Sequence, residues 1–433
     1  MATVIIVSLL TVLATAAMAL LEPRLHPRHP SVRLYWTAPL LGALLLLMGG
    51  WLPVREALSG LLAESAVNPI KILVLFFSMT LMSVFLDEVG FFRYLASAVL
   101  HRAGSNQKKL FVLLYLVVSV LTVFTSNDIV VLTFTPFICY FAKNAEIDPV
   151  PYLICEFVAA NTWSMGLIIG NPTNIYLAAG NSIDFAAYIS VMWLPTLLAG
   201  VTSFTVLWLL FYRKLRAPMT VAAAPATALS DKPTTYLGLG ALGVCILLLV
   251  FSSYLSFDMW LIAFDACFVL YLVAIPELLL RRRGIGFVTR SFHRAPYDVI
   301  PFVLSMFILV MALGRVGATA LLGELVLGSG ELWKSGITSF LAANLLNNIP
   351  MSVLYSTVVT TGGTASLPAL YAAVIGSNIG AFFTPMGALA GIMWMALLKQ
   401  HKISLSFGRF VLYGAALSIP TLLAALAGLA IIL

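Results

Sequence analysis

The sequence predicts an all-α polytopic membrane protein built as two inverted five-span repeats, each with a re-entrant hairpin and a discontinuous helix. The first observation behind this prediction is composition, because 61% of the 433 residues are hydrophobic and 9% are charged, against roughly 25% charged in soluble domains. The second is a set of apolar runs, such as 235–251 and 411–433, that are long enough to cross about 30 Å of hydrocarbon. The third is that most Lys and Arg residues fall in the loops on one face of the predicted membrane protein.

Ten spanning helices are predicted along the chain. In the first repeat, 1–212, they lie near 4–21, 35–53, 70–88, 150–180 and 189–212. A cytoplasmic linker, 213–234, joins it to the second repeat, 235–433, with spans near 235–254, 257–277, 299–314, 368–397 and 408–431. Two further apolar segments, about 110–142 and 335–361, are interrupted by polar residues in mid-segment. Both are interpreted as re-entrant hairpins that enter and leave on one face.

The basic residues support the two hairpins. If both segments return to the face from which they enter, the loops on one face of the membrane contain all of the 24 Lys and Arg residues except Arg55, Lys71, Arg315 and Lys334. Cytoplasmic loops of membrane proteins carry such an excess, so these loops are assigned to the cytoplasm and both termini to the outside of the plasma (inner) membrane. The same explanation accounts for the net charge of +7 without a nucleic-acid partner.

The first hairpin tip contains Ser126, Asn127 and Asp128. Backbone groups exposed at a tip within the bilayer must be satisfied by protein, water or an ion. Asn offers both a donor and an acceptor, which suits a solute or a Na⁺ ion near Asn127, although a simple helix cap is the alternative. An intramembrane carboxylate is a functional candidate by default, so Asp128 is a candidate coupling acid.

The matching tip in the second half contains Asn344 and then Asn347, Asn348, Ile349 and Pro350. Proline has no backbone donor and prevents a helix from running through. A second Na⁺ is expected near Asn348. Because no acid occurs in this stretch, the two tips are expected to differ chemically.

Two predicted spans, 150–180 and 368–397, carry Gly, Pro and Asn close together, which indicates unwound helices. Together with the two hairpin tips, their polar stretches, 170–174 and 376–380, make four in the chain. Freed carbonyls can coordinate Na⁺, and freed amides can hold an oxyanion; a kinked packing helix is the alternative. Glu156, on the first of these spans, is the second candidate coupling acid, and it could equally face a cytoplasmic vestibule. The residues predicted to line the site are Ser126, Asn127, Asp128, Asn161, Gly170, Asn171, Pro172, Thr173, Asn174, Asn347, Asn348, Pro350, Ser377, Asn378 and Thr384.

The remaining reactive residues are expected to be structural. Asp87 and Glu88 are predicted to be solvated helix caps. The four cysteines form no CxxC motif and are predicted to be buried, inert thiols, with ligation of soft trivalent arsenic as the alternative. No HExxH motif or nucleophile–base pair lies in a span, so no enzyme activity and no cofactor are expected.

Four strings resemble the bacterial arsenite/antimonite permeases: Leu86–Phe92, the Ser126–Asp128 tip with Leu132, Thr135 and Pro136, the Asn347–Pro350 tip, and Thr384–Gly387. More broadly, the chain is similar to the ion transporter superfamily, which also contains divalent anion/sodium symporters and sodium/proton antiporters. The resemblance implies a scaffold domain and a transport domain, usually a homodimer, and elevator-type alternating access. It also implies that Asn127, Asn348 and the unwound segments surround the substrate.

The resemblance implies secondary transport of a small inorganic solute, with arsenite or antimonite efflux driven by Na⁺ or H⁺ as the leading hypothesis. Na⁺-coupled symport of a dicarboxylate or another anion is the alternative. No Walker motif occurs, so coupling to ATP would require a separate cytoplasmic ATPase subunit. The permeases are expected to carry acids where this chain has Asn161 and Asn378, which removes two titratable groups from the site.

Overall fold

The computed structural model describes residues 1–25, 34–63, 68–219, 229, 231–282, 284–361 and 363–433, and every regular element in these ranges is a helix. The first half contains α1 (Ala2–Leu25), α2 (Thr37–Met48), α3 (Val54–Leu61), α4 (Pro69–Glu88), α5 (Phe91–Ala103), α6 (Gln107–Phe124), α7 (Asn127–Asn144), α8 (Val150–Trp163), α9 (Pro172–Ala178) and α10 (Phe185–Phe211). The second half contains α11 (Lys232–Val250), α12 (Ser252–Leu255), α13 (Met259–Leu280), α14 (Gly286–Arg294), α15 (Val299–Arg315), α16 (Ala318–Val326), α17 (Glu331–Leu346), α18 (Asn348–Val358), α19 (Leu367–Gly380), α20 (Leu389–Gln400) and α21 (Phe407–Ile432).

Several helices are long and apolar enough to cross a bilayer. In the described ranges these are α4, α6, α10, α11, α13 and α21, and the pair α15–α16 also qualifies if its 83° bend is counted within one span. The predicted spans near 70–88, 189–212, 235–254, 257–277 and 408–431 are thus confirmed as long apolar helices. The helix predicted over 35–53 is shorter, at 12 residues, and α16 was not predicted. Residues 220–228 and 230 of the predicted linker lie outside the described residues.

The helices are interrupted at all four predicted places. α6 ends at Phe124 and α7 begins at Asn127, while α17 and α18 are separated by Asn347 alone. α8 and α9 are joined by two short 3₁₀ turns, and irregular turns separate α19 from α20. The sequence signals for breaks are therefore confirmed. The return of each hairpin to its starting face, and the inversion of the second repeat, stay predictions.

The helices pack in two groups. α4 contacts α11, α13 and α14, α11 contacts α13, and α15 joins α2 to α4; we call these six helices the frame. α6–α10 and α17–α21 form the second group, which we call the core. In the core, every residue from 150 to 162 and from 369 to 380 is buried, as expected for helices that are apolar all round. The four polar interruptions therefore lie among the core helices.

Candidate functional site

The first hairpin tip is buried against the first broken helix. Asn127 is the first residue of α7 and is only 1% exposed. Its Nδ2 donates a hydrogen bond to Oδ1 of Asn161 on α8, at 3.1 Å. Its Oδ1 is buried and has no hydrogen-bond partner among the described residues. Nearly all buried polar atoms in proteins are paired, so this oxygen is an exception that an account of the site has to explain.

The break between α8 and α9 is closed by asparagine side chains. Asn171 caps α9, whose first residue is Pro172, by accepting from the Thr173 amide at 3.2 Å. Asn174 Nδ2 donates to the carbonyls of Ser164 and Leu167, at 2.7 and 2.9 Å. These bonds satisfy carbonyls that the unwound backbone would otherwise leave free.

Gly170 allows the chain to fold back at this break. A Cβ at this position would lie 2.3 Å from the carbonyl oxygen of Ser164. That distance is far inside van der Waals contact, and the obstacle is backbone that cannot rotate away. Only glycine, which has no Cβ, fits at this position.

Asn378 joins the broken helices of the two halves. Its Oδ1 accepts from Ser164 Oγ at 2.8 Å and from Asn171 Nδ2 at 2.9 Å. Its Nδ2 donates to Asn174 Oδ1 at 2.7 Å and to the Val374 carbonyl at 2.8 Å. Beside it, the hydroxyls of Ser377 and Thr173 lie 3.1 Å apart. We call Asn171, Ser164, Asn174 and Asn378 the amide network, and all four are at most 2% exposed.

The second tip is tied to the break between α19 and α20. Asn347 Nδ2 donates to the Met386 carbonyl at 3.2 Å, and the Asn348 amide donates to the Gly387 carbonyl at 3.0 Å. Asn347 adopts φ 75° and ψ 152°, a region that non-glycine residues rarely populate and that functional sites favour. Pro350, in the first turn of α18, needs no helical donor there.

Asn344, one turn before the second tip, also bonds this break. Its Nδ2 donates to the Gly380 carbonyl at 3.0 Å, and its Oδ1 accepts from the Thr384 amide and hydroxyl at 3.1 and 2.7 Å. The second tip is therefore tied to its broken helix by asparagine bonds to backbone and to the Thr384 hydroxyl, whereas the first tip is tied to its broken helix by the Asn127–Asn161 bond.

The two candidate coupling acids occupy different surroundings. Glu156 is fully buried, and both of its oxygens lie 3.0 Å from the Thr135 hydroxyl on α7. Asp128 is half-buried in the first turn of α7, where the helix dipole favours a negative charge. Thr135 and Ser164 are site residues that the sequence did not reveal, because nothing in their local pattern separates them from ordinary core hydroxyls.

Of two predictions for residues outside the tips, the one for the cysteines is confirmed and the one for Asp87 and Glu88 is wrong. The cysteines Cys139, Cys155, Cys245 and Cys267 are free and buried, as predicted. The prediction that Asp87 and Glu88 are solvated caps is wrong, since their side chains are 7% and 9% exposed and ion-paired to α14. The α14 helix, which hydropathy does not predict, covers this end of α4.

The structure brings all four polar stretches together in the core. Asn127 reaches Asn161 on α8, the amide network joins that helix to α19, and Asn344 links α19 to the second hairpin. Among the described residues, no group of three or more His, Cys, Asp or Glu side chains could hold a metal ion.

The curated relatives of the chain are transport proteins. An arsenical pump membrane protein of Escherichia coli K12 is 29% identical over 380 residues, covering 82% of this chain and 85% of that protein. A putative arsenical pump membrane protein of Bacillus subtilis is 26% identical over 403 residues, covering 86% and 88%. An uncharacterized transporter of Synechocystis is 24% identical over 407 residues, covering 87% and 88%. The predicted resemblance to arsenical permeases is confirmed.

A family model also matches most of the chain. It is described as CitMHS, citrate transporter, and it matches residues 16–365. The match includes both hairpins and the first broken helix. With its apolar helices and buried polar breaks, the chain is a multi-pass membrane protein and belongs to the CitMHS citrate transporter family.

Proposed function

We propose that the chain is a secondary active transporter of a small inorganic solute, with efflux of arsenite or antimonite as its reaction. The observation that carries this proposal is the buried Asn127 carbonyl oxygen, which lacks a partner within the described residues at the meeting point of two broken helices. Broken helices near the bilayer midplane are the usual place for substrate and ion sites in secondary transporters. The names of the curated relatives support arsenicals as the solute.

The chemistry of the site suits a neutral hydroxylated solute. Arsenite is the neutral acid As(OH)₃ at neutral pH, and its hydroxyls can both donate to and accept from asparagine side chains. None of the four polar stretches contains Lys or Arg. A fixed positive charge is therefore not offered near the tips by these stretches.

Coupling to an ion gradient is assigned to Glu156 or Asp128 for H⁺, or to amide and carbonyl oxygens near Asn127 and Asn348 for Na⁺. Glu156 is the stronger candidate because it is fully buried and bonds the Thr135 hydroxyl, whereas Asp128 is half-buried. Gaining or losing a proton changes the interactions of a buried carboxyl more than those of a partly solvated one. An ATPase subunit would add a second energy source without changing this site.

The packing supports elevator-type movement of the core against the frame. α6 packs on α8 as α17 packs on α19, and α10 packs on α8 as α21 packs on α19. Matching contacts of this kind are expected from two copies of one repeat, and inversion would place the tips at a common depth with both termini outside. A homodimer formed through exposed frame helices in the inner membrane completes the proposal.

Na⁺-coupled symport of citrate or another carboxylate is the second candidate, favoured by the description of the matching family. The N-termini of α7, α9 and α18 lie at the breaks. Their partial positive charges could hold an anion without Lys or Arg.

Transport by the purified protein in proteoliposomes tests both candidates. Arsenite, antimonite and radiolabelled citrate are each offered under an imposed pH gradient and, separately, under a Na⁺ gradient. Gradient-dependent movement of arsenite that Asn127→Ala abolishes is the expected result. Asn181→Ala is the matched control, because Asn181 is part-buried and bonds only the Leu177 carbonyl of the preceding helical turn. Accumulation of citrate with Na⁺, without movement of arsenite, would replace the first candidate by the second.

A further inference from the structure

A cluster of four charged residues lies where α4 ends. Arg294 on α14 donates to Asp87 through one terminal nitrogen at 2.7 Å and to Glu88 through the other at 2.6 Å. Arg290, one turn earlier, donates to the second oxygen of Glu88 at 2.7 Å. Both carboxylates are at least nine-tenths buried, while the two arginines remain 41–61% exposed. Charge-assisted bonds of this kind fix the carboxylates in place.

One bond leads from this cluster to the core. The Thr133 hydroxyl on α7 donates to Oδ1 of Asp87 at 3.0 Å, while Oδ2 of the same carboxylate is held by Arg294. Asp87 and Arg294 belong to the frame, whereas α7 packs on α8 and α20 of the core. The Thr133–Asp87 bond therefore crosses the boundary between the two groups.

On the core side of this bond, α7 lacks one of its helical hydrogen bonds. Pro136 lies inside α7 and has no N–H, so the Leu132 carbonyl cannot receive its usual helical hydrogen bond. Leu132, Thr133 and Pro136 line an open cavity of about 470 Å³ together with Arg93 and the charged cluster. A polar cavity of this size admits water, which can take over the partners of Thr133 and Asp87 when the two separate.

The same segment of α7 carries the site. Asn127 begins the helix at the tip, Thr133 faces Asp87, and Thr135 holds Glu156. These three residues lie within nine positions of one another, before the proline. A displacement of this segment at Thr133 therefore moves the tip and the hydroxyl partner of the buried acid together.

We propose that Thr133 and Asp87 form a clasp that positions the first hairpin arm against the frame and opens once in each transport cycle. The ion pair with Arg294 holds Asp87 on the frame side, and Arg290 and Arg294 hold the adjacent Glu88. The helical hydrogen bond missing at Pro136 lets α7 leave Asp87. Thr133 is thus a positioning residue, since it acts through the arm and does not touch the solute. The inference rests on the proposed movement of the core, but not on the identity of the solute.

A labelling experiment tests the clasp without any substrate. Leu132→Cys places a reporter thiol in the cavity, and its rate of reaction with a maleimide is measured in the full-length protein in lipid nanodiscs. Adding Thr133→Val removes the hydroxyl at nearly constant shape and is expected to raise the labelling rate about tenfold, the change that loss of one hydrogen bond gives an opening equilibrium. Thr133→Ser keeps the hydroxyl and should label at the parent rate.

Two controls make the labelling result decisive. The native cysteines are buried, so the parent without Leu132→Cys sets the background. Thr205→Val removes an exposed hydroxyl that bonds the Val201 carbonyl of its own helix, and it should leave the rate unchanged. Equal labelling rates with and without Thr133→Val would overturn the clasp.

Transport kinetics separate positioning from binding. In proteoliposomes, Thr133→Val is expected to change the maximal rate and leave the KM for the transported solute at the parent value. An altered KM with unaltered labelling would make Thr133 a ligand of the solute and would also overturn the proposal. If neither arsenite nor citrate is transported, the proposed function fails, and the labelling result still decides the clasp.

Discussion

The two broken regions of the core share a backbone device and differ in side-chain chemistry. At the first, Gly170 lets the chain approach the Ser164 carbonyl, and at the second, Gly387 approaches the Gly380 carbonyl, with the same 2.3 Å to an imagined Cβ. The first region pairs Asn127 with Asn161 and contains a buried acid, whereas the second bonds Asn344 and Asn347 to backbone carbonyls and contains no acid in its tip. The amide network of Asn378 joins the two regions. The difference indicates that two regions with a similar backbone break can differ in side-chain chemistry, and both candidate coupling acids, Glu156 and Asp128, belong to the first region.

The largest effect is expected from Asn378→Ala. The substitution leaves Asn171 Nδ2 and Asn174 Oδ1 without their partner in a buried place, whereas Ser164 Oγ can still donate to the Asn161 carbonyl at 2.9 Å. Each of these two unsatisfied buried groups costs about 1–3 kcal/mol, so the free energy of unfolding should fall by at least about 2 kcal/mol. Thermal unfolding in detergent measures the loss, and transport should be lost with it.

Asn181→Ala is the matched control for Asn378→Ala. Asn181 makes one hydrogen bond to the Leu177 carbonyl and is part-buried, so its loss should cost no more than about 1.5 kcal/mol. Equal melting temperatures for the two variants would mean that the amide network does not hold the halves together.

A smaller effect is expected from Asn344→Ala in the second region. Asn344 makes comparable bonds, but it is half-buried and its partners are backbone groups and the Thr384 hydroxyl. Water can replace part of these bonds, so the expected loss is about 1–2 kcal/mol in the same unfolding assay. A loss as large as that of Asn378→Ala would mean that the amide network between the regions contributes no more to stability than the Asn344 bonds within the second region.

The sequence predicted the positions of these regions better than their contacts. Gly170, Pro172, Asn347 and Pro350 break helices for local reasons, through missing side chains, missing donors and unusual φ values, and such causes are visible in sequence. The partner of Glu156 could not be predicted in this way. Thr135 is one of several hydroxyl residues in apolar helices, and only the packing of α7 on α8 brings it to Glu156. Local pattern therefore predicts where a helix ends, and tertiary structure decides which polar atoms meet.

The error at Asp87 and Glu88 has the same origin. Both residues end an apolar helix, which usually means exposure at a membrane surface. Their partners, Arg290 and Arg294, lie about two hundred positions later in a short helix that hydropathy cannot place. A solvated cap and a buried ion pair are identical in local sequence, so only the position of α14 distinguishes them.

The third prediction concerns Glu156→Gln, which keeps the shape and a carbonyl acceptor for Thr135 but cannot titrate. Transport driven by a pH gradient should fall to the level seen without a gradient, while the melting temperature changes little. The matched variant Asp128→Asn removes the other acid of the first region. If both variants keep full proton-driven transport, neither acid couples transport to H⁺, and the chemical difference between the two regions has another role.

The smallest effect is expected outside both regions, at the start of α4. Trp260 and Lys71 donate to Asp258, at 2.8 and 3.1 Å, and these bonds hold the pKa of Asp258 below its ordinary value of 3.8. A lowered pKa in the folded state stabilises the fold above the ordinary value, and this stabilisation is lost as the pH falls through the lowered one. The Asp258 side chain is 58% exposed, so the contribution is small and salt-sensitive. The melting temperature of the parent should exceed that of Asp258→Asn slightly at neutral pH, and the gap should close below pH 3.8. A gap as large as that produced by Asn344→Ala would show that burial is not what gives the polar contacts of the core their strength.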